Sequence, residues 1–152
     1  MPEAWRIVKA RHTGTAFTGE GAARSGGRWN SRGIAVVYTS GSQSLAALET
    51  LVHLNPPIRF NYVVIRVAFH DEMVETLPFR TLPADWRAEP PPSSTKRLGD
   101  AWVVQARSAI LAVPSVIIGG ERNYLLNPVH PDFKRISIGK KCPFAFDRRL
   151  LP

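Results

Sequence analysis

The chain has 152 residues, a hydrophobic fraction of 44%, a charged fraction of 21% and a formal net charge of +8. That length suits one domain with a real core, and the composition excludes a chain-wide disordered polymer. The charge favours anionic partners, such as nucleotides, nucleic acid or an acidic protein, without choosing among them.

In chain order, WRIVKA (5–10) alternates enough to form a first strand. Residues 13–33 are rich in Gly, Ser, Thr and Arg and read as a long loop, a type that is often functional. GIAVVYTS (33–40) is β-branched and aromatic and reads as a strand. SGSQSLAALETLVHL (40–54) reads as a helix. Ser40 and Gln43 have capping-box spacing, Leu45, Leu48, Leu51 and Val52 form an apolar stripe, and Asn55, Pro56 and Pro57 end it. NYVVIRVAF (61–69) is a buried strand and VETLP (74–78) a short one.

Residues 83–95 hold Pro83, Pro90, Pro91, Pro92, Ser93 and Ser94. Neither side is self-sufficient in core residues, so this is a surface excursion and not a domain linker. KRLGDAWVVQARSA (96–109) reads as a second helix, and ILAVPSVII (110–118) as a strand with an edge or bulge at Pro114. KRISI and PFAF are short strands, and residues 139–152 make a basic tail. Residues 77–152 carry 12 basic and 6 acidic side chains, against 8 and 6 in residues 1–76. Strands with two dispersed helices make an α+β pattern in a single domain over 1–152, not regular βαβ alternation. Neither G-x-G-x-x-G nor a P-loop motif is present.

Chemistry concentrates in two stretches. In ARSGGRWNSRG (23–33), Gly26-Gly27 lets backbone approach a ligand, and Arg28 supplies a guanidinium fork suited to phosphate. Trp29 is placed to stack on a base or cover a site, while Arg24 and Arg32 read as solvated. Glu49 falls beside Leu45 and Val52 on the helical wheel, at the edge of the apolar stripe. A carboxylate there is either paired, with His53 in reach four residues on, or used. Tyr38, near the end of its strand, is either a core tyrosine or a ring beside a cationic heterocycle.

The second stretch, VPSVIIGGERNYLLNPVHP (113–131), holds Ser115 as a hydrogen-bonding hydroxyl, since no G-x-S-x-G surrounds it. Asn123 and Asn127 read as loop-ordering residues, and His130 as structural. His12 and His70 lack the spacing of an acid–base pair. One cysteine, Cys142, permits no intrachain disulfide, and four scattered histidines give no metal-ligand spacing. With no signal-peptide pattern at the start and no membrane span, a cytoplasmic protein is expected.

AFTGEGAARSGGRWNSRG, VVYTS, ALETLVHL, VPSVIIGGERNYLLNP and HPDFKRI, in that order, together resemble the RES domain family. These are bacterial toxins usually encoded beside an Xre-type antitoxin. The resemblance runs from Trp5 to about Ile138, and the arginine, glutamate and serine that name the family correspond to Arg28, Glu49 and Ser115. A tyrosine between the first two also belongs to the family's site, and Tyr38 occupies that place.

The resemblance implies a compact fold similar to the ADP-ribosyltransferase toxins. It implies NAD as substrate, with no further cofactor and no metal. Joined to the residue reading, it assigns the pyrophosphate to Arg28, the nicotinamide ring to Tyr38 and the ribosyl cation to Glu49. Ser115 then orients the site and Asn123 lines the same pocket. The expected outcome is NAD cleavage by water or phosphate, with ADP-ribosylation of a cellular protein as the alternative. The expected partner is an Xre-type antitoxin docking on the basic C-terminal half, with DNA met through that partner. A basic nucleic-acid-binding module is the reading from a different class, and no helix-turn-helix or RNA-binding signature supports it.

Overall fold

The β-branched and aromatic runs fold as strands of one seven-stranded sheet in a computed structural model that describes residues 1–53 and 61–150. In chain order the strands are β1 (Glu3–Lys9), β2 (Val37–Ser40), β3 (Tyr62–Ala68), β4 (Val74–Thr76), β5 (Ile110–Pro114), β6 (Arg122–Leu126) and β7 (Ser137–Phe144). Their order across the sheet is β4-β5-β6-β2-β1-β3-β7. All neighbours are antiparallel except β4 and β5, which run parallel. Among the described residues three α-helices accompany them: α1 (Glu20–Ser25), α2 (Gln43–Leu51) and α3 (Ser93–Val104). This is the single α+β domain expected.

Period-2 alternation divides the core between the two faces of the sheet. One face packs Val37, Val67, Phe69, Ile110 and Leu126. The other packs Leu111, Val113 and Leu125 against Trp102 of α3 and Trp29 of the arginine loop. Trp102 has no exposed surface, and its indole N–H is satisfied by Ser108 Oγ at 2.8 Å. A third core cluster joins Ile7, Tyr62 and Val64 to Ala46 of α2.

Several expectations shift. Residues 13–33 are not loop throughout: a 3-10 turn spans Ala10–Thr15, and α1 follows. The cap of α2 is Ser42, whose Oγ accepts from Leu45 N at 3.0 Å, not Ser40. Ser40 is drawn into β2 opposite Asn123, so the helix starts after it. The expected helix stop at Asn55–Pro57 lies outside the described residues. The helix expected at 96–109 begins earlier, at Ser93, and ends at Val104. The strand expected over 110–118 stops at Pro114, because Ser115 Oγ accepts from the backbone N–H groups of both Ile117 and Ile118. β6, with the sequence RNYLL, has no counterpart among the expected strands, because the Gly-Gly turn before it reads as loop. KRISI and PFAF are not two strands, since Lys134 and Arg135 sit in a 3-10 turn and β7 is continuous from Ser137 into PFAF at Phe144.

One register feature positions the site. β1 and β3 pair along seven positions, but β1 and β2 pair at one, Trp5↔Ser40. No further ladder pair joins the two strands beyond that one. The sheet therefore has a gap in its middle, where backbone groups need partners other than a neighbouring strand.

Candidate functional site

A cleft of about 920 Å³ opens beside this gap. Trp5, Arg6 and Ile7 of β1, Tyr38 and Ser40 of β2, Glu49 of α2 and Asn123 of β6 line it, with Arg28 and Glu89 at one side. That volume is at the upper end of what small-molecule and cofactor sites occupy.

Glu49 is the best-defined group. Its Oε1 accepts from Ser115 Oγ at 2.9 Å and from Asn123 Nδ2 at 3.0 Å. Each donor is fixed in turn. Ser115 is 2% exposed, and its hydroxyl accepts the two backbone N–H groups of the following turn. Asn123 Oδ1 accepts from Ser40 Oγ at 2.7 Å, which orients its amide toward Glu49. One carboxylate oxygen is thus held by two donors, and Oε2 has no hydrogen-bond partner among the described residues. The Glu49–His53 pairing weighed from the sequence is absent: His53 is exposed, and Glu49 bonds to Ser115 and Asn123 instead. Asn123 is therefore not a loop residue but a strand residue facing the helix.

Tyr38 packs against the Trp29–Trp102 core, and its hydroxyl is committed. It donates to Asn30 Oδ1 at 2.6 Å and accepts from Trp29 N at 3.1 Å. Burial raises its pKa well above the ordinary phenol value, so it stays a neutral donor. A Cβ at Gly27 would lie 2.6 Å from that hydroxyl, which is why the loop carries glycine there. Asn30 is buried and donates to the carbonyls of Ala22, Ser31 and Ile34, folding the arginine loop around its amide.

α3 clamps the same loop from outside. Lys96 Nζ donates to Gly27 O at 2.7 Å, and Asp100 accepts from Ser31 N at 2.8 Å and Ser31 Oγ at 2.5 Å. Between them, Gly99 lets the Trp29 carbonyl touch the helix.

Arg28 projects from this clamped loop with its side chain 15% exposed. Nη1 spends both of its hydrogens on the carbonyls of Trp86 and Ala88, at 3.0 and 2.7 Å. Nη2 donates to Glu89 Oε2 at 2.7 Å. Arg24 and Arg32 are exposed, as expected.

Sequence reasoning missed Arg6. Its Nε donates to Ala16 O at 2.6 Å and its Nη1 to Tyr38 O at 3.0 Å, across the gap between β1 and β2. It has no carboxylate partner among the described residues, and burial lowers its pKa to about 10. The group remains cationic at neutral pH and faces the cleft. In the sequence it is one arginine in an alternating strand, and nothing there marks a strand that will have no continuous neighbour. No cluster of three or more His, Cys, Asp or Glu suited to a metal occurs among the described residues. No helix among them is long and apolar enough to cross a membrane.

The family model described as RES domain matches residues 3–147. A protein named Prs ADP-ribosylating toxin, from Sphingobium sp. (strain YBL2), is 39% identical over 97% of this chain and 95% of its own length. A protein named Toxin Res from Yersinia enterocolitica is 38% identical over 96% and 97%. Among solved structures, the M. tuberculosis MbcT–MbcA toxin–antitoxin complex contains a chain of the same fold, with a TM-score of 0.70 at 17% identity. That match covers 94% of this chain and 84% of the other.

Proposed function

The chain belongs to the RES domain family, and on that premise we propose that it is the toxin of a toxin–antitoxin pair and breaks the nicotinamide–ribose bond of NAD. The observation that carries the reading is Glu49, with one oxygen held by Ser115 and Asn123 and the other unbonded, in a cleft that also receives Arg6 and Arg28.

The chemistry follows from NAD itself. Its nicotinamide is cationic and its pyrophosphate anionic. When the C1′–N bond breaks, the electron pair leaves with nicotinamide, which becomes neutral, and positive charge spreads over ribose C1′ and its ring oxygen. Glu49 Oε2 is the group that meets this charge. Because the other oxygen is already held, the carboxylate needs no reorganisation as the charge develops, which is where electrostatic catalysis is most effective. Arg28 and Arg6 hold the pyrophosphate, and Tyr38 presents its ring to the nicotinamide. Ser115 and Asn123 act through Glu49 and fix its orientation. Water or inorganic phosphate then captures C1′, with loss of a proton from the attacking oxygen.

Purified protein incubated with NAD is expected to release nicotinamide, with ADP-ribose or its 1″-phosphate identified by mass. Addition of the neighbouring-gene antitoxin, which we take to be Xre-type and the route to any DNA, is expected to stop the reaction. No nicotinamide release, with or without phosphate, overturns the assignment.

Arg6 tests the pyrophosphate half of the reading. Arg6→Gln keeps a donor at the Nε position for the Ala16 carbonyl but removes the charge and the Nη1 contact to the Tyr38 carbonyl. A charge-assisted contact contributes ~1.5–3 kcal/mol, so KM for NAD is expected to rise about 10- to 100-fold. An unchanged KM removes Arg6 from the site.

Protein ADP-ribosylation is the second reading, and the 39% identical relative named for that activity favours it. Radiolabelled NAD added to a cell lysate separates the two. Label retained on one protein band supports transfer, and free ADP-ribose supports cleavage alone.

A further inference from the structure

The side chain that reaches Arg28 comes from the Pro-rich excursion, and its arrangement is not that of a passive ion pair. The strap from Trp86 to Pro91 crosses one side of the cleft, where Glu89 and Pro91 line it. Its root is fixed: Trp86 is 8% exposed, meets Phe79 edge-on at 6.0 Å and carries Arg87 over its ring at 4.8 Å. Asp85 is tied to Ser94 of α3 at 2.6 Å.

The guanidinium divides its work along its two edges. Nη1 is saturated by the Trp86 and Ala88 carbonyls, which hold Arg28 in place. The Nε–Nη2 edge is the fork that binds phosphate or carboxylate in bidentate fashion. Nε is unbonded among the described residues, and Nη2 holds a single oxygen of Glu89. The Glu89 side chain is 73% exposed, so it can swing away by bond rotation while the strap stays seated.

We propose that Glu89 is an internal counter-ion that occupies the anion-binding edge of Arg28 in the unliganded protein and is displaced by the substrate's phosphate. This rests on the reading of Arg28 as a pyrophosphate contact. It gives the strap a role in setting substrate affinity: every productive encounter exchanges a carboxylate for a phosphate on the same fork. The carbonyls on Nη1 keep the fork aimed through the exchange. The competing pair is solvent-exposed on one side, so its effect is modest and screened by salt.

The test uses inorganic pyrophosphate as a probe, followed by calorimetry on the whole chain and as a competitive inhibitor of NAD cleavage. Glu89→Gln keeps the shape and loses the charge. It is expected to tighten pyrophosphate binding and lower KM for NAD by about two- to fivefold at low salt, the range of an exposed pair. The gain is expected to shrink as salt rises. Glu75→Gln removes the same charge from a pair with Arg107, a residue that does not line the cleft, and is expected to change neither value. If Glu75→Gln tightens binding equally, the effect is one of net charge and the counter-ion is overturned. If Glu89→Gln binds pyrophosphate like wild type while Arg28→Ala binds it more weakly, the counter-ion is overturned and the role of Arg28 stands. If Arg28→Ala binds pyrophosphate like wild type, the reading of Arg28 falls and takes the counter-ion with it.

Discussion

Glu49→Gln is expected to lower kcat for NAD cleavage by about 10²–10³, with KM changed far less. The amide has nearly the same shape, and its oxygen can still accept from Ser115 and Asn123, so the pocket is kept. What is lost is the negative charge that the proposed mechanism sets against ribose C1′, a charge that would matter little to bound NAD and much to the ribosyl cation. An interaction of that kind appears in kcat and not in ground-state affinity. Steady-state kinetics with a thermal melt alongside checks it. A kcat within threefold of wild type, in a protein that melts normally, removes Glu49 from the chemistry.

Gly99→Ala is expected to cost stability, although alanine is the better helix former by ~1 kcal/mol. A Cβ at position 99 would lie 1.6 Å from the Trp29 carbonyl oxygen and 2.6 Å from its carbon. Both atoms are backbone, so no side chain can turn aside. The helix must move off the arginine loop, loosening the Lys96 and Asp100 contacts on either side. Overpacking of this severity costs ~3 kcal/mol, which outweighs the propensity gain. The net loss of ~2 kcal/mol lowers Tm by ~4–8 °C for a chain of this size. Substrate affinity is expected to fall with it, since Arg28 rides on the displaced loop. A melting temperature at or above wild type would show that α3 and Trp29 are not in contact.

The two helices that carry contacts to the site were legible in outline, because a 3.6-residue apolar period survives at LAALETL and in KRLGDAWVV. Glu49 was legible for the same reason: a carboxylate at the edge of a stripe breaks the pattern locally. Its hydrogen-bond partners were not legible in local spacing, and only the family resemblance set Ser115 and Asn123 in the same pocket. Ser115 and Asn123 lie 66 and 74 residues away, and His53, four residues on, offered a nearer candidate. Local spacing proposes local pairs, whereas the sheet brings β6 under α2 through long-range pairing. The capping serine failed on a similar competition, since Ser40 had a ladder partner that the sequence does not display. Arg28 stood out through its glycines, but the acceptors on its guanidinium lie about 60 residues downstream in a stretch that reads only as proline-rich. Arg6 was invisible because its importance comes from a missing strand contact, which is a property of topology and not of composition.

The single backbone pair between β1 and β2 has a consequence for how the molecule opens. On one side lie β4, β5, β6 and β2, and on the other β1, β3 and β7. Each group is continuously laddered, but they are joined in the sheet by one residue pair and the Arg6 guanidinium. Side-chain packing crosses that boundary, since Val37, Ile110 and Leu126 share one core cluster with Ala4, Val67 and Phe69, so the two units are held together by core contacts as well as by that one ladder pair. A molecule bound in the cleft touches both units, so its binding energy adds directly to their cohesion. Amide exchange along this boundary would then slow in proportion to occupancy, and the substrate would serve, while bound, as the mortar of the fold that destroys it.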